Sequence, residues 1–172
     1  MQALQMMFSW IKYYPNDLTL HRDLAMLYRS LSQIYQKPVV QQEGEQGNLS
    51  LAFLQQQYEK SDIQEKKQKA AYLAIQELRV IIHYVPHDPW ALLQIAEIYR
   101  ELEIKEEERK AYEELLLADP HNGEVYYRLG KLYFELGKMA EGLHLYQELQ
   151  NRRDPKASHL IELYGIYTSE TN

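Results

Sequence analysis

The stretch 124–155, EVYYRLGKLYFELGKMAEGLHLYQELQNRRDP, decides the fold. Tyr126, Leu129, Gly130, Tyr133 and Leu136 recur at three- and four-residue steps, the spacing of one helical face. Gly137 follows as a helix stop, a second helical run passes through Tyr146, and Asp154-Pro155 closes the segment. The same order occurs one unit earlier, with Leu92, Ile95, Ala96 and Tyr99, then Tyr112, then Pro120. Pro86 to Pro120, Tyr99 to Tyr133 and Tyr133 to Tyr167 are each 34 residues apart. Two helices per 34-residue period describe a stack of helical hairpins, each of which buries its apolar face only against its neighbours.

The pattern extends in both directions. His21, Leu24, Ala25 and Tyr28 read as a first helix, as do Leu160, Leu163, Tyr164 and Tyr167. Ala3, Met7 and Pro15 read as the second helix of a unit, and Ala74, Leu78 and Pro86 repeat that half. Helix stops stand at Tyr14-Pro15-Asn16-Asp17, Val85-Pro86-His87-Asp88-Pro89, Ala118-Asp119-Pro120-His121-Asn122 and Arg153-Asp154-Pro155. In each, proline cannot continue the preceding helix, and Asp or Asn is placed to cap the next.

On these residues the chain resembles the tetratricopeptide repeat family, over about four-fifths of its length. The resemblance implies an all-α, right-handed solenoid of antiparallel helix pairs forming one domain over 1–172. Within it, 1–16 is a lone second-type helix, 17–86 holds degenerate repeats, 87–121 and 122–155 are repeats, and 156–172 is a capping helix and tail. Two departures stand out. Glu108 occupies a position where the family usually has a small residue, as Gly142 does in the later unit, and Tyr164 replaces a small residue in the last helix. Small residues let two helices approach and tyrosines pack across the contact, so Tyr133 is expected to be largely buried and Gly130 to mark a close approach.

The pattern breaks at QKPVVQQEGEQGN, 36–48, where Pro38, Gly44 and Gly47 oppose a helix. Residues 37–48 are expected to be a flexible loop. A short helix then resumes over Leu49–Tyr58 and a long one over about Asp62–Tyr84. If 49–60 is a first helix parallel to 18–36, the loop must return about 28 Å along it, and twelve extended residues span about 40 Å. This crossover is the expected arrangement; the alternative pairs 49–60 directly with 18–36 and lets the long helix serve two repeats.

Composition narrows the chemistry. The 172 residues are 45% hydrophobic and 26% charged, which suits a folded core and excludes wholesale disorder. Fifteen tyrosines against three Phe and two Trp are accounted for by the repeat positions. Nineteen Lys and Arg against twenty-five Asp and Glu give −6, the wrong sign for a nucleic-acid binder. Without cysteine there is no disulfide, thiolate metal site or Cys nucleophile. No run approaches the roughly 18 apolar residues of a membrane span, so no direct membrane insertion is expected. The N-terminus lacks the basic and small-residue features of a signal peptide; a cytoplasmic setting is expected, or a periplasmic one if a leader has been removed. His83 and His87 are separated by Pro86, and neither HExxH nor a phosphate-binding glycine loop occurs, so no catalytic, metal or cofactor residue is expected and the chain is read as not an enzyme. The basic run Lys66-Lys67-Gln68-Lys69 and the acidic run 101–114 read as solvated helix faces.

The resemblance instead implies a concave groove lined by first helices and filled by a peptide or helix of another protein. The groove residues it implies are Arg22, Arg29, Trp90, Gln94, Glu97, Arg100, Tyr127, Arg128, Lys131 and Phe134, with Trp90, Tyr127 and Phe134 as aromatic anchors. One subgroup of the family grips a C-terminal carboxylate with Lys, two Asn and a Lys/Arg pair. The matching positions here, Arg22, Met26, Gln94, Glu124 and Arg128, lack both asparagines, so that clamp is not expected. The alternative roles are a self-associating unit or fragment of a longer array, or an accessory domain of an enzyme complex. Met6, Met7, Phe8, Trp10 and Ile11 on the first helix would support a homodimer.

Overall fold

In a computed structural model, the described residues are 2–35 and 49–169. They form eight α-helices and, among the described residues, no strand. The helices are α1 (Gln2–Tyr13), α2 (Leu18–Ile34), α3 (Leu49–Tyr84), α4 (Pro89–Glu101), α5 (Lys105–Ala118), α6 (Gly123–Glu135), α7 (Met139–Asn151) and α8 (Lys156–Ser169). The expected loop at 37–48 lies outside the described residues. None of the described helices is long and apolar enough to cross a membrane. The chain divides into two compact units, Met1–Tyr84 and Val85–Asn172.

In the N-terminal unit, α2 packs along α3. Leu24, Ala25 and Tyr28 of α2 are buried, as are Ala70, Ala71, Ala74, Ile75, Leu78 and Ile81 of α3. Asp17 caps α2, accepting from the Thr19 and Leu20 amides at 3.0 and 3.2 Å. Buried His21 ties three segments together: Nδ1 lies 2.6 Å from Glu77 Oε2 on α3, and Nε2 lies 3.0 Å from the Pro15 carbonyl before α2. Met6 and Trp10 of α1 are 61% and 54% exposed.

The separate short helix expected at 49–60 does not form. It is the first third of the single 36-residue helix α3. The physical reason is plain in the sequence: no glycine or proline occurs from Leu49 to Tyr84, so nothing stops the helix.

The C-terminal unit is built of hairpins. The connections α4–α5 and α6–α7 each take three residues, 102–104 and 136–138, and each helix pair is closely packed. Three helices end alike. Ile104 N–H donates to Tyr99 O at 2.9 Å, Lys138 N–H to Tyr133 O at 2.8 Å, and Asp154 N–H to Leu149 O at 3.0 Å. The preceding residues, Glu103, Gly137 and Arg153, have φ of 60°, 73° and 55°, the left-handed turn of a helix C-terminus. The first helix of each hairpin begins on a cap, with Asp88 before α4 accepting from the Ala91 amide at 2.8 Å and Asn122 before α6 from the Val125 amide at 3.4 Å.

Two glycines set the packing of this unit. A Cβ at Gly130 would sit 2.6 Å from Leu160 Cδ2, so α6 and α8 meet there with no room for a side chain, the close approach expected at this position. A Cβ at Gly142 would overlap the ring of Phe134, which is 1% exposed. Tyr133 is only half-buried, because its hydroxyl reaches outward to donate to Glu113 Oε1 at 2.6 Å. Gly165, also helical, has open space where its Cβ would be. Gly142→Ala should therefore destabilise the protein by about 1–3 kcal/mol through displacement of a buried ring. Gly165→Ala should stabilise it by up to about 1 kcal/mol through helix propensity. Urea denaturation of both variants checks the contrast, and equal effects would contradict it.

Candidate functional site

A cavity of about 240 Å³ opens between α4, α5 and α6, lined by Arg100, Glu108, Tyr112, Glu124, Tyr127, Arg128, Lys131, Leu132 and Glu135. Its formation follows from a comparison between hairpins. Arg100 and Glu108 stand 34 residues before Phe134 and Gly142. In the later hairpin the phenyl ring lies over the glycine, and Tyr164 of α8 meets it at 5.5 Å between ring centroids. In the earlier hairpin the same two positions carry a guanidinium and a carboxyl. A charged Arg cannot fill an apolar gap as a ring does, and a Glu cannot yield the space that glycine yields. The hairpins therefore leave room beside α6.

The wall is a charge network. Arg128 Nη1 donates to Glu97 Oε1 at 2.6 Å, and its Nε donates to Glu124 Oε1 at 2.7 Å. Arg100 Nη2 also approaches Glu97, at 3.5 Å. Lys131 Nζ is 3.8 Å from Glu135, which Lys105 holds from α5 at 3.0 Å. Glu97 thus joins α4 to α6, and Glu135 joins α6 to α5. Every cation on the wall faces a carboxylate.

Glu108 is different. It is 7% exposed, and its carboxyl makes no hydrogen bond or ion pair among the described residues. Burial pushes this carboxyl up to about 7; the Arg100 guanidinium pulls against the rise and Glu135 adds to it. Tyr112 beside it is fully buried, and burial raises its phenol as well.

Of the ten residues expected at a groove, Arg100, Tyr127, Arg128 and Lys131 line this cavity. Glu97 supports them through Arg128. Trp90 and Gln94 are half-buried on α4 and do not line it. Phe134, expected as an exposed anchor, is instead a core residue, held between Gly142 and Tyr164. The reason is the glycine: it opens a slot that an aromatic ring fills with more buried area than a groove offers. Arg22 is exposed and Arg29 half-buried on α2, in the N-terminal unit. Sequence reasoning missed Glu108, Tyr112 and Leu132 as cavity residues. The one available signal was Glu108 at a place the pattern reserves for a small residue.

Compared with protein-family models and with curated proteins, the chain matches none.

The buried carboxyl makes stability depend on pH. A folded-state value near 7, against an ordinary 4.5, means that the native protein binds the extra proton. The associated stabilisation is full below about pH 4.5 and is lost as pH rises through about 7. Wild type should therefore lose about 2–3 kcal/mol relative to Glu108→Gln between pH 4.5 and pH 8. Urea melts of both proteins across that range check this, and a difference that does not change with pH would contradict it.

Proposed function

We propose that this chain is a non-catalytic protein–protein interaction module of the tetratricopeptide type, an adaptor or assembly factor built as a right-handed solenoid of antiparallel helix pairs. Its C-terminal unit takes a peptide or helical segment of another protein along α4 and α6. The observation that carries this reading is the cavity between those helices, where Arg100, Tyr127, Arg128 and Lys131 converge. Arginine and tyrosine in a partly enclosed concavity are the composition of binding hot spots. The 34-residue spacing supports the repeat assignment, since it coincides with the hairpins α4–α5 and α6–α7 and with their matching helix ends.

The mixed sign of the wall favours a defined polar and aromatic contact over general attraction to polyanions. Tyr127 supplies a half-buried face, and Lys131 is 48% exposed with only a 3.8 Å contact to Glu135. A peptide-display library panned on the full chain should yield binders. Tyr127→Ala combined with Lys131→Ala should weaken the selected peptides at least about tenfold, with helicity and melting nearly unchanged. Unchanged affinity in that variant would remove the cavity from the binding surface.

A further inference from the structure

We infer that the cavity between α4, α5 and α6 receives one basic side chain, Lys or Arg, of the bound partner segment, with the Glu108 carboxylate as its counter-ion. This inference rests on the reading of the C-terminal unit as a peptide-binding module.

Three observations carry it. The first is the pairing of charges around the cavity. Its cations are already matched, Arg128 by Glu97 and Glu124, Arg100 by Glu97, and Lys131 by Glu135. The carboxyl of Glu108 borders the cavity, is 7% exposed, and has no hydrogen-bond or ion-pair partner among the described residues. Its oxygens are not sealed from solvent, so a donor entering the cavity can reach them. The second is shape. About 240 Å³ exceeds the roughly 150 Å³ of a protein cavity that holds a benzene ring, so the stem of a Lys or Arg fits. Tyr127 provides aromatic surface for that stem and its cation. The third is long-range charge. The unit Val85–Asn172 holds ten Lys and Arg against seventeen Asp and Glu, a net −7, while the rest of the chain is +1. The unit that contains the cavity draws basic segments toward it.

The cavity is a property of this hairpin and not of the repeat in general. Thirty-four residues on, Phe134 and Gly142 close the equivalent space. Replacing Arg100 and Glu108 by Phe and Gly copies that filling and removes both the room and the counter-ion.

Binding is linked to protonation. Free Glu108 holds its proton up to about pH 7, and an entering cation requires the ionised form, so binding releases a proton. The charged groups acting on Glu108 are Arg100 from α4, Lys105 from α5, and Lys131 and Glu135 from α6, and no histidine lines the cavity. Affinity should therefore rise about tenfold from pH 6 to pH 8.

The test uses the full chain and synthetic fluorescent heptapeptide mixtures. Their central residue is fixed as Lys, Arg, norleucine or Glu, and their flanking positions are equimolar mixtures. Binding is read by anisotropy at pH 6 and pH 8. The inference expects Lys- or Arg-centred mixtures to bind at least about tenfold tighter than norleucine- and Glu-centred ones, more so at pH 8. Glu108→Gln should abolish that preference. Arg100→Phe combined with Glu108→Gly should do the same while keeping wild-type helicity, which guards against misfolding of a single variant. A preference that survives Glu108→Gln overturns the inference, since it reports only attraction to an acidic protein. A preference for Glu overturns it too, while leaving the peptide-binding reading intact. Failure of every mixture to bind overturns the inference together with that reading.

Discussion

The C-terminal unit depends on what each hairpin places at its small-residue position. Helices pack closely only where one presents a gap and the other a side chain to fill it. Gly142 and Phe134 meet this condition, and Gly130 and Leu160 meet it again between α6 and α8. Arg100 and Glu108 do not. At those positions the interface is held by Glu97 reaching from α4 to Arg128 and by Lys105 reaching from α5 to Glu135. The same helical framework thus supports a dry contact in one hairpin and a polar cavity in the other. The difference lies in two side chains.

This explains which parts of the structure were legible in the sequence. Helix boundaries in the C-terminal unit follow from local chemistry. Asp88 and Asn122 cap because their side chains reach amides within the first turn, and the turns at Glu103 and Gly137 satisfy the last carbonyls. Such signals lie within a few residues and can be read directly. The same local logic, applied strictly, yields the unbroken α3: with neither Gly nor Pro after Leu49, the helix continues to Tyr84, and the expected break rested on repeat register alone.

The remaining features are nonlocal. The contact between His21 and Glu77 joins residues 56 apart, and nothing in either neighbourhood announces it. Phe134 looked like a surplus aromatic because the family pattern assigns it no core role, yet Gly142 had opened a slot for its ring. Glu108 was recognisable as a departure from the pattern, and its consequence was not. Whether an acid at a small-residue position turns outward, pairs with a neighbour or remains buried is decided by the helices around it. Here Arg100, the cation acting on it most strongly, lies on Glu97, and the acid forms no ion pair among the described residues.

Glu108 is a buried acid without an ion pair among the described residues, and it shapes the cavity. The most direct measurement is an NMR titration of its side-chain carboxyl carbon in the free protein, assigned by comparison with Glu108→Gln. The expected midpoint is about 7. A midpoint at the ordinary value of 4.5 would contradict it, because it would mean that the carboxyl is solvated or already matched with a cation.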